Sequence, residues 1–163
     1  MIRKATFDDA TSIAQIYNYY IENTVITFEE DPIDAEDIIQ RIEKSNSAGF
    51  SWYVALESES VVGYAYSSKW NERSAYKHTA EVSVYLSHQH RSKGLGTKLY
   101  EALFDELKAM RMHVVIGGVT LPNAASVALH EKFGMKKVAH YEQVGFKFEE
   151  WLDVGYWQIQ LDT

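Results

Sequence analysis

The chain has 163 residues, 46% of them hydrophobic and 24% charged, which fits one globular domain with a buried core. Its 16 Lys and Arg against 23 Asp and Glu give a net charge of −7, which argues against nucleic-acid binding because phosphate neutralisation dominates that affinity. The absence of cysteine excludes disulfides, a thiolate nucleophile and cysteine-ligated metals. No apolar stretch resembles a signal peptide or a membrane span, so we expect one cytoplasmic domain over residues 1–163 without a membrane partner.

The N-terminal third predicts a strand and two helices. Residues 2–5 suit a short strand, and Thr6 with Asp9 forms a capping-box pattern before apolar residues at helical spacing. Asp34 is placed to begin a second helix, which ends at the Asn-Ser-Ala-Gly sequence of residues 46–49.

Aromatic and β-branched residues dominate the next segments and predict strands. Residues 52–56 and 61–66 flank a polar Glu-Ser-Glu-Ser sequence, which favours an antiparallel hairpin. Residues 80–86 alternate Glu81, Ser83 and Tyr85 on one face with apolar residues on the other, the clearest strand pattern in the chain.

The C-terminal half predicts two further helices among strands. Leucines from residue 95 onwards recur at near-helical spacing, and an apolar run follows at 114–119. A short helix over 124–132 is closed by Gly134, before strand-like segments at 138–144 and 151–161. Strands interspersed with helices and hairpins predict an α/β fold with a mixed sheet.

The loop Arg-Ser-Lys-Gly-Leu-Gly-Thr at residues 91–97 lies between the clearest strand and the clearest helix. Backbone amides at a helix start can bind an anion, and Gly94 and Gly96 allow close approach. Arg91 and Lys93 add positive charge. A purely structural turn fits the same residues, whereas the glycine spacing fits neither a nucleotide-kinase loop nor a dinucleotide fingerprint.

The run from Arg91 to Gly96 matches Q/R-x-x-G-x-G/A and so resembles the pyrophosphate loop of the GNAT acetyltransferases. A second element of that superfamily, N-x-x-A-x-x-L-Y-x-K-x-G-F, is matched by Asn123, Leu129, Lys132 and Gly134. Three positions depart from the pattern: Ser126, Met135 and His130, the last replacing the tyrosine that often protonates the leaving thiolate.

The runs TAEVSVY, LPNAASVALHEKFGM and GFKFEEWLDVGYWQ are similar to phosphinothricin and methionine sulfoximine acetyltransferases. This resemblance implies the GNAT fold, a single, largely antiparallel mixed sheet with helices on both faces. It also implies direct acetyl transfer from acetyl-CoA to the amino group of a small amino-acid-like substrate, without a metal, and a homodimer. The aromatic C-terminal strand is a candidate for the dimer contact, and sealing of the core is the alternative role of its aromatic residues. The alternatives are acetylation of a protein N-terminus or a polyamine, or a noncatalytic acyl-CoA sensor.

The chemistry requires a base for the amine and a proton for the thiolate. The resemblance places the base at Glu81, for which a solvated strand carboxylate is the alternative. His130 has a suitable ordinary pKa to act as the acid at the sulfur, and a packed structural histidine is the alternative. The other histidines lack metal-ligand spacing, so we expect no metal site.

The remaining site residues follow from the same resemblance. Arg73 can hold the acidic group of the substrate in a bidentate pair. Asn123 is expected on the pantetheine arm, although an N-cap role fits equally well. The expected substrate contacts are Asn71, Glu72, Arg73, Glu81, Val82 and Ser83; the expected coenzyme contacts are Val84, Tyr85, Leu86, Ser92, Lys93, Gly94, Leu95, Gly96, Thr97, Asn123 and Lys132.

Overall fold

The structure is a computed structural model in which residues 1–90 and 94–162 are described. Strands and helices are interspersed along these residues as the sequence predicts. In chain order they are β1 (Ile2–Lys4), α1 (Ala10–Asn23), α2 (Ala35–Ser47), β2 (Trp52–Glu57), β3 (Ser60–Lys69), β4 (Thr79–Leu86), α3 (Leu95–Ala109), β5 (Val114–Leu121), α4 (Ala124–Lys132), β6 (Lys136–Lys147) and β7 (Glu150–Gln160).

The strands form one sheet in the order β1-β2-β3-β4-β5-β7-β6. Every neighbouring pair is antiparallel except β4 and β5, which are parallel. The prediction of a mixed, largely antiparallel sheet is therefore confirmed. The β4 and β5 ladder contains only three residue pairs, from Thr79 with Val114 to Glu81 with Ile116, and the rest of each strand lacks this partner.

Side-chain caps lie where the sequence predicts them: one begins the short 3-10 turn Phe7–Asp9 that leads into α1, and the other begins α2. The Asp9 carboxylate accepts hydrogen bonds from the Thr6 backbone at 2.8 Å and from Arg3 at 2.8 and 2.9 Å. The Asp34 carboxylate accepts a hydrogen bond from the Asp37 backbone amide at 2.9 Å, and the Asp37 carboxylate accepts one from the Asp34 backbone amide at 3.0 Å. These reciprocal bonds satisfy backbone donors that a helix start leaves unpaired.

Helices cover both faces of the sheet and divide the apolar core in two. Residues of α1 and α2 pack on one face around Trp52, Val54 and Tyr64. Residues of α3 pack on the other face around Val82 and Val115. The alternation along β4 follows this division, so Glu81 and Ser83 share the face that α1 and α2 cover farther across the sheet.

The β6 and β7 hairpin forms one edge of the sheet and exposes many apolar side chains. The first strand is longer than the predicted 138–144 segment, and the second has the predicted length but begins and ends one residue earlier than 151–161. The exposed large apolar residues on this hairpin are Val138, Tyr141, Val144, Phe146, Phe148 and Trp151. None of the helices in the described residues is both long and apolar enough to cross a membrane.

Candidate active site

A cleft opens where β4 and β5 separate beyond Glu81 and Ile116. Backbone groups of β4 that face this gap have no ladder partner there and can bind a ligand, whereas the Leu86 carbonyl oxygen already accepts a hydrogen bond from the Tyr20 hydroxyl. The side chains of Val84 and Leu86 pack against the α3 core and that of Tyr85 against the α1 and α2 core. The residues around the cleft are Ile26, Val82, Ser83, Val84, Tyr85, Tyr100, Gly118, Val119, Thr120, Asn123, Ser126 and His130.

The start of α3 is built to receive an anion. Gly94 occupies the N-cap position in a left-handed conformation with φ of 70°, and no side-chain hydrogen bond from the described residues caps the helix. Within the described residues, the amides of Leu95, Gly96 and Thr97 are therefore left for a ligand. Lys132 donates a hydrogen bond to the Thr97 hydroxyl at 3.4 Å, which brings a cation from α4 to this helix start. Ser92 and Lys93 lie outside the described residues, so their predicted contacts stay predictions.

Asn123 is the N-cap of α4, and its side-chain oxygen accepts from the Ser126 amide at 3.1 Å. Its amide nitrogen is not used in this cap. Asn123 also borders the cleft, so the capping role and a hydrogen bond to a ligand are compatible.

His130 is packed and fully hydrogen-bonded on the floor of the cleft, with 3% of its surface exposed. Its Nδ1 lies 2.6 Å from the Ser126 carbonyl oxygen, which can only accept, so Nδ1 carries the proton. Nε2 then accepts from the Tyr100 hydroxyl at 3.1 Å. Burial lowers the pKa of His130 and favours this neutral form. These bonds favour the packed histidine, and its role as an acid at the sulfur stays a prediction.

Tyr100 is a site residue that the sequence did not single out. It lies on α3, is 1% exposed and links His130 to the cleft. In the sequence it falls within the apolar stripe of α3 and looks like any other core aromatic residue. Only the contact with His130, 30 residues away along the chain, distinguishes it.

Glu81 is the last residue of β4 that pairs with β5. Burial raises the pKa of its carboxyl group, and no hydrogen bond from the described residues opposes the shift. Burial is the main cause of the raised pKa of Tyr66 and of Tyr156, and the negative charge of Glu81 raises both pKa values further. A half-buried carboxylate with unused acceptor oxygens is suited to take a proton.

The predicted substrate segment is an exposed loop between β3 and β4. The Asn71 side chain accepts a hydrogen bond from the Arg73 amide at 3.0 Å, which shapes the turn. Arg73 is exposed, and none of the described carboxylates forms an ion pair with it. Glu72 pairs instead with Lys69 at 3.6 Å.

A cavity of about 430 Å³ adjoins this loop on the Glu81 face of the sheet. Glu72, Tyr66 and Ser68 are among the residues around it. Ser68 lies directly opposite Glu81 in the β3 and β4 ladder, and Tyr66 lies opposite Ser83. Glu72, Glu81 and Ser83 are thus brought to one region. The Val82 side chain points away into the α3 core.

The described residues contain no group of three or more His, Asp or Glu side chains that could hold a metal ion.

Comparisons with known proteins identify the family to which the chain is similar. The acetyltransferase (GNAT) domain model matches residues 2–155. An L-amino acid N-acyltransferase of Escherichia coli K12 is 38% identical over 99% of this chain and 94% of that protein. The structure of a phosphinothricin acetyltransferase from Sinorhizobium meliloti in complex with acetyl-CoA has a TM-score of 0.96 and 33% identity, covering 99% of this chain and 88% of that one. A ribosomal-protein-alanine N-acetyltransferase from Brucella melitensis also has a TM-score of 0.96, with 37% identity and 99% of both chains covered.

Glu81→Gln removes a buried acid and should stabilise the fold at neutral pH. A carboxyl group with a raised folded pKa binds its proton more tightly in the folded chain, so its contribution to stability is present at low pH and lost as the pH rises through that pKa. The gain in melting temperature of the variant should therefore be largest above the folded pKa and shrink towards acid pH. Glu101→Gln, on the exposed side of α3, is the control. A variant no more stable than the wild type at pH 7 would contradict the burial effect.

Proposed function

We propose that this chain, which belongs to the acetyltransferase (GNAT) family, moves the acetyl group of acetyl-CoA directly to the α-amino group of a small amino acid of the phosphinothricin or methionine sulfoximine type. The observation that carries the proposal is the position of Glu81, a carboxyl group without a hydrogen-bond partner among the described residues, at the mouth of the cleft between β4 and β5. The amino-acid and phosphinothricin acetyltransferases among the similar proteins support this substrate class. The scheme needs no metal ion and no covalent enzyme intermediate.

The coenzyme is proposed to extend from the start of α3 into the cleft. Its pyrophosphate would meet the amides at the start of α3, where the positive end of the helix and Lys132 favour an anion. Its pantetheine arm would pair with the free backbone of β4 and the Asn123 amide. The coenzyme contacts proposed are Val84, Tyr85, Leu86, Ser92, Lys93, Gly94, Leu95, Gly96, Thr97, Asn123 and Lys132.

The amine must lose a proton before it can attack the thioester, and Glu81 is proposed to take that proton through a water molecule. Attack then forms a tetrahedral intermediate, whose oxyanion a free β4 amide can stabilise. His130 and Tyr100 are proposed to act together at the departing sulfur. In the neutral ring the one proton is on Nδ1 and is donated to Ser126, so Nε2 has none to give. The Tyr100 hydroxyl would therefore have to turn away from Nε2 to donate a hydrogen bond to the sulfur.

The substrate is proposed to lie on the Glu81 face of the sheet. Its acidic group would pair with Arg73, which is exposed and without an ion pair among the described residues. Its side chain would enter the cavity beside Glu72. The proposed substrate contacts are Asn71, Glu72, Arg73, Glu81, Val82 and Ser83.

A protein N-terminus is the second candidate acceptor, because the similar Brucella protein is named for a ribosomal protein. The two acceptors differ beyond the α-carbon, where a free amino acid carries a carboxylate and a peptide carries a neutral amide. An unpaired arginine beside the site favours the carboxylate.

We also propose that the chain forms a homodimer through the β6 and β7 hairpin. A long edge strand with exposed Tyr141, Phe146 and Trp151 is the kind of surface that proteins usually cover. A cytoplasmic location is proposed because acetyl-CoA is an intracellular metabolite.

The purified chain should release coenzyme A thiol from acetyl-CoA when given phosphinothricin or methionine sulfoximine. In Glu81→Gln, which keeps the size of the side chain but cannot accept the proton, kcat should fall by about two to four orders of magnitude, the range for loss of a general base. Acetyl-CoA binding, measured by calorimetry, should change little. Tight coenzyme binding without turnover on any amine would support the acyl-CoA sensor instead, and near-normal kcat in the variant would return Glu81 to an ordinary strand carboxylate.

Gly94→Val should weaken acetyl-CoA binding at least tenfold, because the left-handed glycine sets the amides that would hold the pyrophosphate. Gly49→Val is the matched control, since Gly49 is also left-handed, with φ of 89°, but lies after α2. Similar coenzyme affinity in the two folded variants would remove the start of α3 from the site.

Arg73→Ala should raise the KM for the free amino acid by about tenfold or more, because a bidentate charge-assisted pair is lost. The KM for the methyl ester of the same substrate, which lacks the carboxylate, should change little. Lys108→Ala, at an exposed position in the last turn of α3, controls for the general loss of positive charge. Equal losses for acid and ester would argue against anion binding by Arg73.

A further inference from the structure

We propose that Lys147, the last residue of β6, is a positioning residue that holds the loop between α1 and α2 over the reaction cleft. We call residues 24–30 the roof loop. This role depends on the proposed function, because the cleft between β4 and β5 is taken as the place of acetyl transfer.

The roof loop reaches the cleft through Ile26. This side chain lies with Ser83 and Tyr85 of β4 and Gly118 of β5 around the gap in the sheet. The loop has no helix or strand hydrogen bonds of its own, so contacts with neighbouring elements must set the position of Ile26.

One side of the roof loop is held by α1 and α2. The Tyr17 hydroxyl lies 2.7 Å from the Thr27 hydroxyl and also hydrogen-bonds the Glu29 carboxylate. Arg41 of α2 donates to both oxygens of Glu29, at 3.0 and 2.7 Å. These contacts secure the loop where it meets the helices.

The other side of the roof loop is held by the β6 and β7 hairpin, 120 residues away in sequence. The Lys147 ammonium donates to the Thr27 carbonyl oxygen at 2.8 Å. The ring of Phe28 lies on Gly145, where an added Cβ would be 2.3 Å from the ring. Thr27 is thus bonded from both sides, with its hydroxyl to Tyr17 and its carbonyl to Lys147.

Simple packing does not account for a lysine at position 147. Only 2% of the residue is exposed, and burial lowers its pKa while Glu30 and Glu29 act in the opposite direction. An apolar side chain of similar length would fill the same space without the cost of burying an amine. It would, however, leave the buried Thr27 carbonyl oxygen without its hydrogen-bond donor. Thr27 lies between Ile26 and Phe28, so the positions of both side chains would be less firmly fixed.

Lys147→Met keeps the length of the side chain and removes the donor. We expect the KM for the amino acid to rise on the order of tenfold, the effect of losing one hydrogen bond from a charged group. The KM for acetyl-CoA should rise less, because its proposed phosphate contacts lie at the start of α3, whereas only its pantetheine arm would share the cleft with Ile26. Amides of residues 25–30 should exchange faster with deuterium, a readout that does not need activity. Lys136→Met, at an exposed lysine of the same strand, should change none of these values.

Gly145→Ala tests the second contact without touching Lys147. The new methyl group should displace Phe28 and reproduce both the higher KM for the amino acid and the faster exchange. Phe28→Ala added to Gly145→Ala should lessen the exchange effect, because the clash is removed. If Lys147→Met unfolds the chain, Gly145→Ala still tests whether the hairpin positions the roof loop, and Lys147→Arg, which keeps a charged donor, should then retain the KM values of the wild type if the bond to Thr27 is what matters.

Two results would overturn the role of Lys147. One is an unchanged KM for the amino acid, with unchanged exchange of residues 25–30, in the folded Lys147→Met and Gly145→Ala variants. The other is an equal rise in the KM for the amino acid and in the KM for acetyl-CoA, together with a lower melting temperature of the variant. A wild-type chain with no acetyl transfer would instead reject the proposed function, and the exchange measurement would still report whether Lys147 holds the loop.

Discussion

The separation of β4 from β5 is the constraint on which the rest of the structure depends. These strands are the one parallel pair in the described sheet, and a parallel pair requires a crossover connection, here supplied by α3. Because the ladder stops after Glu81 and Ile116, β4 keeps free backbone groups along one edge. The start of α3 and the start of α4 both lie beside this gap. The gap is therefore bordered by the amides that can bind an anion and by the Asn123 side chain that caps α4.

Burial of the Glu81 carboxylate also lowers the stability of the fold. Tyr66, Tyr100 and Tyr156 around Glu81 supply neutral hydroxyls and no positive charge, and burial raises the pKa of each of them. A carboxyl group among such neighbours retains its proton more readily, which is useful for a base that works near neutral pH. The charged form is less stable there than in water, and the packing of β4 between two apolar cores must offset the difference.

Local signals in the sequence were sufficient to predict the helices and strands, but not the contacts between them. The capping boxes that begin at Thr6 and at Asp34 and the alternation along β4 depend on neighbouring residues, and the structure confirms all three. The length of β6 was underestimated because a register shift between Tyr141 and Gly145 interrupts the alternation. Glu81 and the α3 loop could be placed only through the family resemblance, since an acidic strand residue and a glycine turn are common in any fold. The bond from Tyr100 to His130 and that from Lys147 to Thr27 join residues 30 and 120 positions apart, and no spacing pattern encodes such a pair.

The β6 and β7 hairpin connects two features that are separate in the sequence. Gly145 and Lys147 are buried and face the roof loop, while Phe146 and Phe148, which alternate with them, are exposed. In an extended strand this alternation is unavoidable, so a hairpin that secures the roof loop with one set of side chains presents the other set outwards. If two copies of the chain meet through that exposed set, as we propose, the contact would lie on the strand that bears Lys147. The position of Ile26 over the cleft and the burial of the outer hairpin would then depend on the same short stretch of backbone, from Gly145 to Phe148.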